Sequence, residues 1–239
     1  MKRKQKILIL ITSIIFLVLL ISFLWLINSY KAMNEVDSYL DSNESVEVFK
    51  DENGYYTFKP LNYSKAIIFY PGGKVDHLAY APLLFELAEA GYLTILVEMP
   101  FNLAVFNINA ANKVKSIYDD IEVWYLMGHS LGGSMAASHL SKNTDDYAGL
   151  ILLGSYSTVN LNDHNLTILS IYGENDLIIN MENYKNNFKN IKGVKELIIS
   201  GGNHANFGYY GNQKGDGVSS IDRNKQISET VNFITKYIE

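Results

Sequence analysis

The chain has 239 residues, 48% hydrophobic and 19% charged, a length and composition that suit one domain with a sizeable core plus a small appendage and that exclude a disordered chain. It has no cysteine, which excludes disulfides, thiolate metal sites and a cysteine nucleophile. The formal charge is -5, and four basic residues (Lys2, Arg3, Lys4, Lys6) precede residue 7, so the rest carries -9 and lacks the clustered cations of a nucleic-acid surface.

Residues 1–6 read as a basic tail ahead of Ile7 to Ile27, "ILILITSIIFLVLLISFLWLI", which is 21 residues without a charge. A helix of that length rises about 31 Å, close to the hydrocarbon thickness of a bilayer. With no polar face to show to water, it is expected to be a transmembrane anchor. The preceding cations put the N-terminus in the cytoplasm and the remainder outside. Trp25 and Tyr30 fall where interfacial aromatics belong. A cleaved signal peptide is the competing reading, but its apolar region would be shorter, and "INSYKAMNE" offers a weak cleavage site. Residues 28–45 then read as a polar stalk, and residues 46–239 as the working domain.

From Val46 onward short β-rich runs alternate with amphipathic ones. "VEVFKDENGYYTFKP" predicts a hairpin turning at Asn53-Gly54. "KAIIFY" (65–70) predicts a strand buried on both faces. Leu83, Leu84, Leu87 and Ala88 are spaced for a helix over 79–90, stopped by Gly91. A strand in "YLTILVEM" and a helix over 110–118 follow. Next come a strand over 122–127, a helix over 131–140, strands "AGLILLG" and "TILSIYG", a helix over 182–190, strand "KELIIS" and a last helix over 225–237. Right-handed crossovers would stack these units into a mostly parallel sheet with helices on both faces, an α/β fold.

Between the strand over 122–127 and the helix over 131–140 lies Gly128-His129-Ser130-Leu131-Gly132, a G-x-S-x-G pattern in a strand-turn-helix setting. A serine on so sharp a turn needs small neighbours, which Gly128, Gly132 and Gly133 supply. The first N–H groups of the helix, Leu131 among them, would point to where negative charge develops on a substrate oxygen.

On these residues the domain resembles the α/β-hydrolase superfamily, most of all its small, lidless esterase and dienelactone-hydrolase-like members. The resemblance implies a triad in the order Ser130, Asp176, His204, the acid after "SIYGEN" and the histidine after "LIISGGN". It also implies a second oxyanion donor in "FYPGGKVDH", where Pro71 replaces the usual histidine and Gly73 N–H pairs with Leu131 N–H. Glu174 rivals Asp176 as the acid. Asp163-His164 reads as a solvated loop, His77, His129 and His139 as structural, Glu98 as a charged strand end, and Tyr209 and Tyr210 chiefly as core. The histidines lack metal-ligand spacing and no phosphate-cradling loop occurs, so no metal or cofactor is expected.

The activity implied is hydrolysis of a carboxylester, thioester or lactone through an acyl-enzyme, on a small-molecule or surface-presented ester. The connection of about a dozen residues before Thr167 is too short for a helical cap. An acyltransferase with the same triad and a non-catalytic binding module on the same scaffold are the alternatives. The sequence carries no signal of oligomeric state.

Overall fold

The computed structural model describes residues 3–118, 121–162 and 164–238. Asp163 and the first two residues of the basic tail lie outside the described residues. Eight strands form one sheet: β1 (Val46–Lys50), β2 (Tyr56–Pro60), β3 (Lys65–Tyr70), β4 (Leu93–Leu96), β5 (Val123–His129), β6 (Gly149–Leu153), β7 (Thr167–Gly173) and β8 (Lys195–Ile199). Their order across the sheet is β1-β2-β4-β3-β5-β6-β7-β8. The β1–β2 and β2–β4 pairs are antiparallel, and all others are parallel.

The predicted hairpin forms as expected. Asp51 Oδ1 accepts the N–H groups of Asn53 and Tyr55 at 2.8 and 2.9 Å, and Gly54 takes the positive φ that closes the turn. The period-two rule splits the central strands between two cores. Ile67, Phe69, Tyr125 and Met127 face the layer of α2 (Ala81–Glu89) and α6 (Arg223–Tyr237). Ala66, Ile68, Trp124 and Leu126 face the layer of α3 (Ala110–Lys115) and α4 (Leu131–Leu140). Because both faces are covered, the central strands read as continuous apolar runs. The short α5 (Met181–Asn187) joins β7 to β8.

Several boundaries differ from expectation. The helix expected from residue 79 opens with a 3-10 turn, His77–Tyr80, capped by Asp76 accepting from Leu78 N–H, before α2 starts. The helix expected over 110–118 ends at Lys115, and the one expected over 182–190 changes to a 3-10 turn at Phe188. Tyr209 and Tyr210 are buried, as expected of core.

At the N-terminus, helix α1 (Arg3–Ile27) is long and apolar enough to cross a membrane, and none of its apolar stretch is buried in the protein. Residues 28–45, expected as a stalk, instead lie against the domain. Tyr30 pairs with Val75 in a parallel bridge, Met33 N–H donates to Tyr209 C=O, Val36 is 2% exposed and Tyr39 packs edge-on to Phe85. Tyr30, Met33, Val36 and Tyr39 recur every third residue, the period of a 3-10 helix, and one forms over Asn34–Tyr39.

Candidate active site

Ser130 sits between β5 and α4 with φ 53° and ψ -123°, a backbone state that costs a non-glycine residue about 1–2 kcal/mol. The chain around it is built to hold that state. Ser130 N–H donates to Leu153 C=O at 2.9 Å, tying the turn to the end of β6, and Ser155 Oγ donates to Ser130 C=O at 2.7 Å. A Cβ on Gly132 would lie 2.2 Å from Tyr70 C=O, so only glycine lets the helix start against the end of β3. The Ser130 side chain makes no cap bond to the helix it begins, which leaves its hydroxyl available.

Asp176 and His204, from loops after β7 and β8, meet with Nδ1 to Oδ2 at 2.7 Å, both buried. The other oxygen, Asp176 Oδ1, accepts the N–H groups of Ile178 and Ile179, each at 2.9 Å. The carboxylate is thus fixed in rotation, with one oxygen committed to backbone and one to the imidazole. His204 Nε2 is buried and has no hydrogen-bond partner among the described residues. His204 lines a cleft of about 260 Å³ together with Ser130, Leu131, Ser155 and Ile179. No direct Ser130–His204 hydrogen bond is present, so the cleft brings the two side chains to one space without joining them.

The expected oxyanion donors flank the same turn. A Cβ on Gly73 would stand 2.9 Å from Leu131 Cδ2, so the two residues are in contact. Neither backbone N–H has a hydrogen-bond acceptor among the described residues. Gly72 N–H is used structurally: it donates to Tyr80 Oη, and that hydroxyl pairs with His129 Nδ1 at 2.8 Å. Tyr80 Oη thus links the Gly72 backbone to the His129 ring. His129 is fully buried with its ring 4.3 Å from that of His204. Burial, and then the neighbouring His204, hold its pKa well below the ordinary histidine value, so it packs tilted against His204 as a neutral ring.

Glu174 points elsewhere. Its exposed carboxylate accepts from Gly201 N–H at 2.9 Å and Ser200 Oγ at 3.0 Å, and these bonds lower its pKa. His139 is buried between Asn109 and Tyr147 and His77 is buried beside Asp76, consistent with structural roles. His164 is exposed, as expected of a solvated loop. Glu98 is an exposed residue beyond β4, close to Gly54. Among the described residues no group of acidic and histidine side chains is arranged to hold a metal ion.

Three positioning residues escaped the sequence reading. Gly154, at φ 49°, backs the Asp176–His204 pair, and a Cβ there would be 2.8 Å from His204 Nδ1. Ser155 anchors the Ser130 carbonyl. Asp216 bridges the two loops that carry the pair, accepting from Ala205 N–H at 2.8 Å and Leu177 N–H at 3.3 Å. The "GDG" at 215–217 is an Asp in a turn, a signal for backbone bridging but not for where the bridge lands.

A family model for the alpha/beta hydrolase family matches residues 66–228, from β3 through the start of α6 and across every site residue above. The chain belongs to the alpha/beta hydrolase family. Solved structures share the fold of this hydrolase at low identity. A predicted CIB-like hydrolase from Thermoplasma acidophilum is 16% identical, with a TM-score of 0.56 over 80% of this chain and 99% of its own. Dienelactone hydrolase from Anabaena variabilis is 13% identical, with 0.59 over 81% and 97%. Est1E from Butyrivibrio proteoclasticus is 15% identical, with 0.55 over 82% and 99%. No curated protein matches this hydrolase in sequence.

Proposed function

We propose that the protein is a membrane-anchored, outward-facing serine hydrolase that cleaves an ester-type bond through an acyl-enzyme, with Ser130 as nucleophile, His204 as base and acid, and Asp176 as the group that orients it. The observation that carries this reading is the buried 2.7 Å Asp176–His204 pair, whose histidine has an unpartnered Nε2 and lines the same cleft as Ser130. The dienelactone hydrolase and esterase neighbours are in keeping with it.

In this reading Ser130 Oγ attacks the carbonyl carbon as its proton passes to His204 Nε2. Asp176 faces the resulting imidazolium at Nδ1, and the N–H groups of Gly73 and Leu131 hold the oxyanion. Collapse breaks the ester C–O bond, and the leaving oxygen takes the proton from Nε2. Water then attacks the acyl-enzyme, giving its proton to the same nitrogen; the second collapse returns that proton to Ser130 Oγ and frees the acid. The free imidazole Nε2 and the uncapped hydroxyl are the two features the first step requires.

Labelling of intact cells with a fluorophosphonate probe, with and without external protease, tests nucleophile and orientation together. Labelling of wild type but not of Ser130→Ala, lost on protease treatment, is the expected result. Equal labelling of the two proteins, or none of either, would remove the catalytic reading. Labelling that resists protease in intact cells and yields to it after lysis would reverse the orientation.

A further inference from the structure

The end of α1 is fastened to the loop that carries Gly73. Lys74, at φ 63°, donates from Nζ to the carbonyls of Trp25 and Leu26, the latter at 2.8 Å, and lies 4.7 Å from the Trp25 ring centroid. A helix leaves its last carbonyls unpaired, and a cation there also meets the negative end of its dipole. α1 has no basic residue in its own last turn, and Lys74 supplies one from the domain. The same lysine accepts Tyr30 N–H at its carbonyl and donates its N–H to Asn102 C=O at 2.7 Å. Loop 71–75 is therefore held between the helix end and the segment 100–106.

That segment shows apolar side chains to solvent. Phe101 and Phe106 are 48% and 56% exposed, stacked edge to face at 5.9 Å, with Val105 beside them also exposed. Phe101 and Asn102 both have positive φ, 56° and 55°, an outlying state for a bulky phenylalanine. Leu103, next to them, reaches the Gly73–Leu131 contact: a Cβ on Gly73 would lie 3.6 Å from Leu103 Cδ2. The end of the apolar helix, the aromatic pair and the Leu131 edge of the cleft thus lie side by side.

We propose that Phe101, Val105 and Phe106 dock into the interface of the bilayer that α1 enters, holding the Leu131 edge of the cleft against the membrane, and that the substrate is an ester carried by a lipid of that leaflet. The occupant is a bilayer because the face adjoins, through Lys74, the end of a helix of membrane-crossing length and contains an exposed aromatic pair, as interfacial anchors do. A patch of this kind in contact with water alone would be a liability. The cleft, about 260 Å³, falls below the roughly 300–1,000 Å³ of sites that engulf a small ligand, so an amphiphile would place only its ester there and leave its chains in the leaflet. The substrate clause rests on Ser130 being the nucleophile, and the docking clause does not.

The test uses the full chain in phosphatidylcholine vesicles. Because the sequence lacks cysteine, Phe101→Cys, Phe106→Cys and, as a distant control, Leu61→Cys (77% exposed) each give one site for an environment-sensitive dye. Dyes at 101 and 106 are expected to be blue-shifted and quenched by nitroxide-labelled lipid, and the dye at 61 to be neither. Dyes at 101 and 106 as wet as at 61 would overturn docking. Shielding that tracks protein density without nitroxide quenching would also overturn it, assigning the face to a second copy. For the substrate, a long-chain umbelliferyl ester in the vesicles is compared with soluble umbelliferyl acetate. Phe101→Ser/Phe106→Ser is expected to lower the vesicle-to-soluble turnover ratio about tenfold. An unchanged ratio would overturn the lipid-borne substrate. Failure of the wild-type chain to react with a fluorophosphonate would strike the hydrolase reading instead, leaving the dye result to decide docking.

Discussion

Asp176→Asn separates the orienting role of the carboxylate from its part in the fold. Asp176 Oδ1 accepts two backbone N–H groups at 2.9 Å, and an amide nitrogen cannot accept them, so the asparagine must keep its oxygen there. Its NH2 then faces His204 Nδ1, 2.7 Å away in the native protein. A donor opposite Nδ1 forces the imidazole proton to Nε2, the atom that receives the proton of Ser130 in the proposed mechanism. Loss of the correct tautomer in a Ser-His-Asp triad costs on the order of 10⁴ in kcat, or about 5.5 kcal/mol of transition-state stabilisation. The fold loses far less. Both backbone bonds survive and a neutral Nδ2–H···Nδ1 bond replaces a charge-assisted one, a cost of about 1 kcal/mol or 2–4 °C in Tm for a chain of this size. Hydrolysis of p-nitrophenyl acetate and thermal unfolding of the full chain in detergent measure the two effects. Activity above about a tenth of wild type would refute the reasoning, since the tautomer argument has no intermediate outcome. Glu174→Gln is the companion variant: its carboxylate serves Gly201 and Ser200 outside the cleft, and activity within a few-fold of wild type is expected.

Two further predictions concern the surroundings of the pair. Gly154→Ala places a methyl 2.8 Å from His204 Nδ1 and 3.1 Å from Asp176 Oδ2 at a backbone φ of 49°, so a loss of at least about tenfold in kcat is expected, with about 1–2 kcal/mol of destabilisation; wild-type kcat would disprove that this glycine backs the pair. The second concerns pH. Burial lowers the pKa of His129 in the folded protein below its unfolded value near 6.5, so between the two values the unfolded chain binds the extra proton. Stability is then constant above about pH 6.5 and falls as pH drops below it, by up to about 1.4 kcal/mol per unit for this group. His77 and His139 are shifted in the same direction by burial and add to the slope. Thermal unfolding from pH 7.5 to 5.5 should show the fall, and His129→Asn should flatten it; an unchanged slope in that variant would show that His129 is not held neutral.

The parts of the site legible in the sequence are those where a single residue type is forced by local geometry. The elbow was readable because glycines must flank a serine in a tight strand-to-helix turn, and α4 spans the expected Leu131–Leu140. The approach of Asp176 to His204 follows from strand ends lying side by side in a parallel sheet, which the alternation of elements already implied. Ser155 and Asp216 act through hydrogen bonds to backbone, and such bonds leave no pattern beyond a polar residue in a loop. The pairing of Tyr80 with His129 depends on how the start of α2 packs on the sheet, which no local pattern records. The packing of segment 28–45 on the domain is hidden for a different cause. Its polar composition hid the three-residue apolar spacing of Tyr30, Met33, Val36 and Tyr39, too short a run to register as a helical face.

Together with Lys74, that packing restricts how the domain sits on α1. A flexible stalk would let the domain turn freely about α1, and the direction of the cleft relative to that helix would then be unspecified. Here the chain leaves α1 and pairs with Val75 within three residues, at Tyr30, while Lys74 reaches back to the helix carbonyls. Two connections to loop 71–75 restrict rotation far more than one linker does, because a second attachment removes the orientations that do not satisfy both. The contacts that hold Gly73 against Leu131 therefore also fix the domain relative to α1, and a flexible Gly/Ser insertion between Asn28 and Ser29 should loosen both.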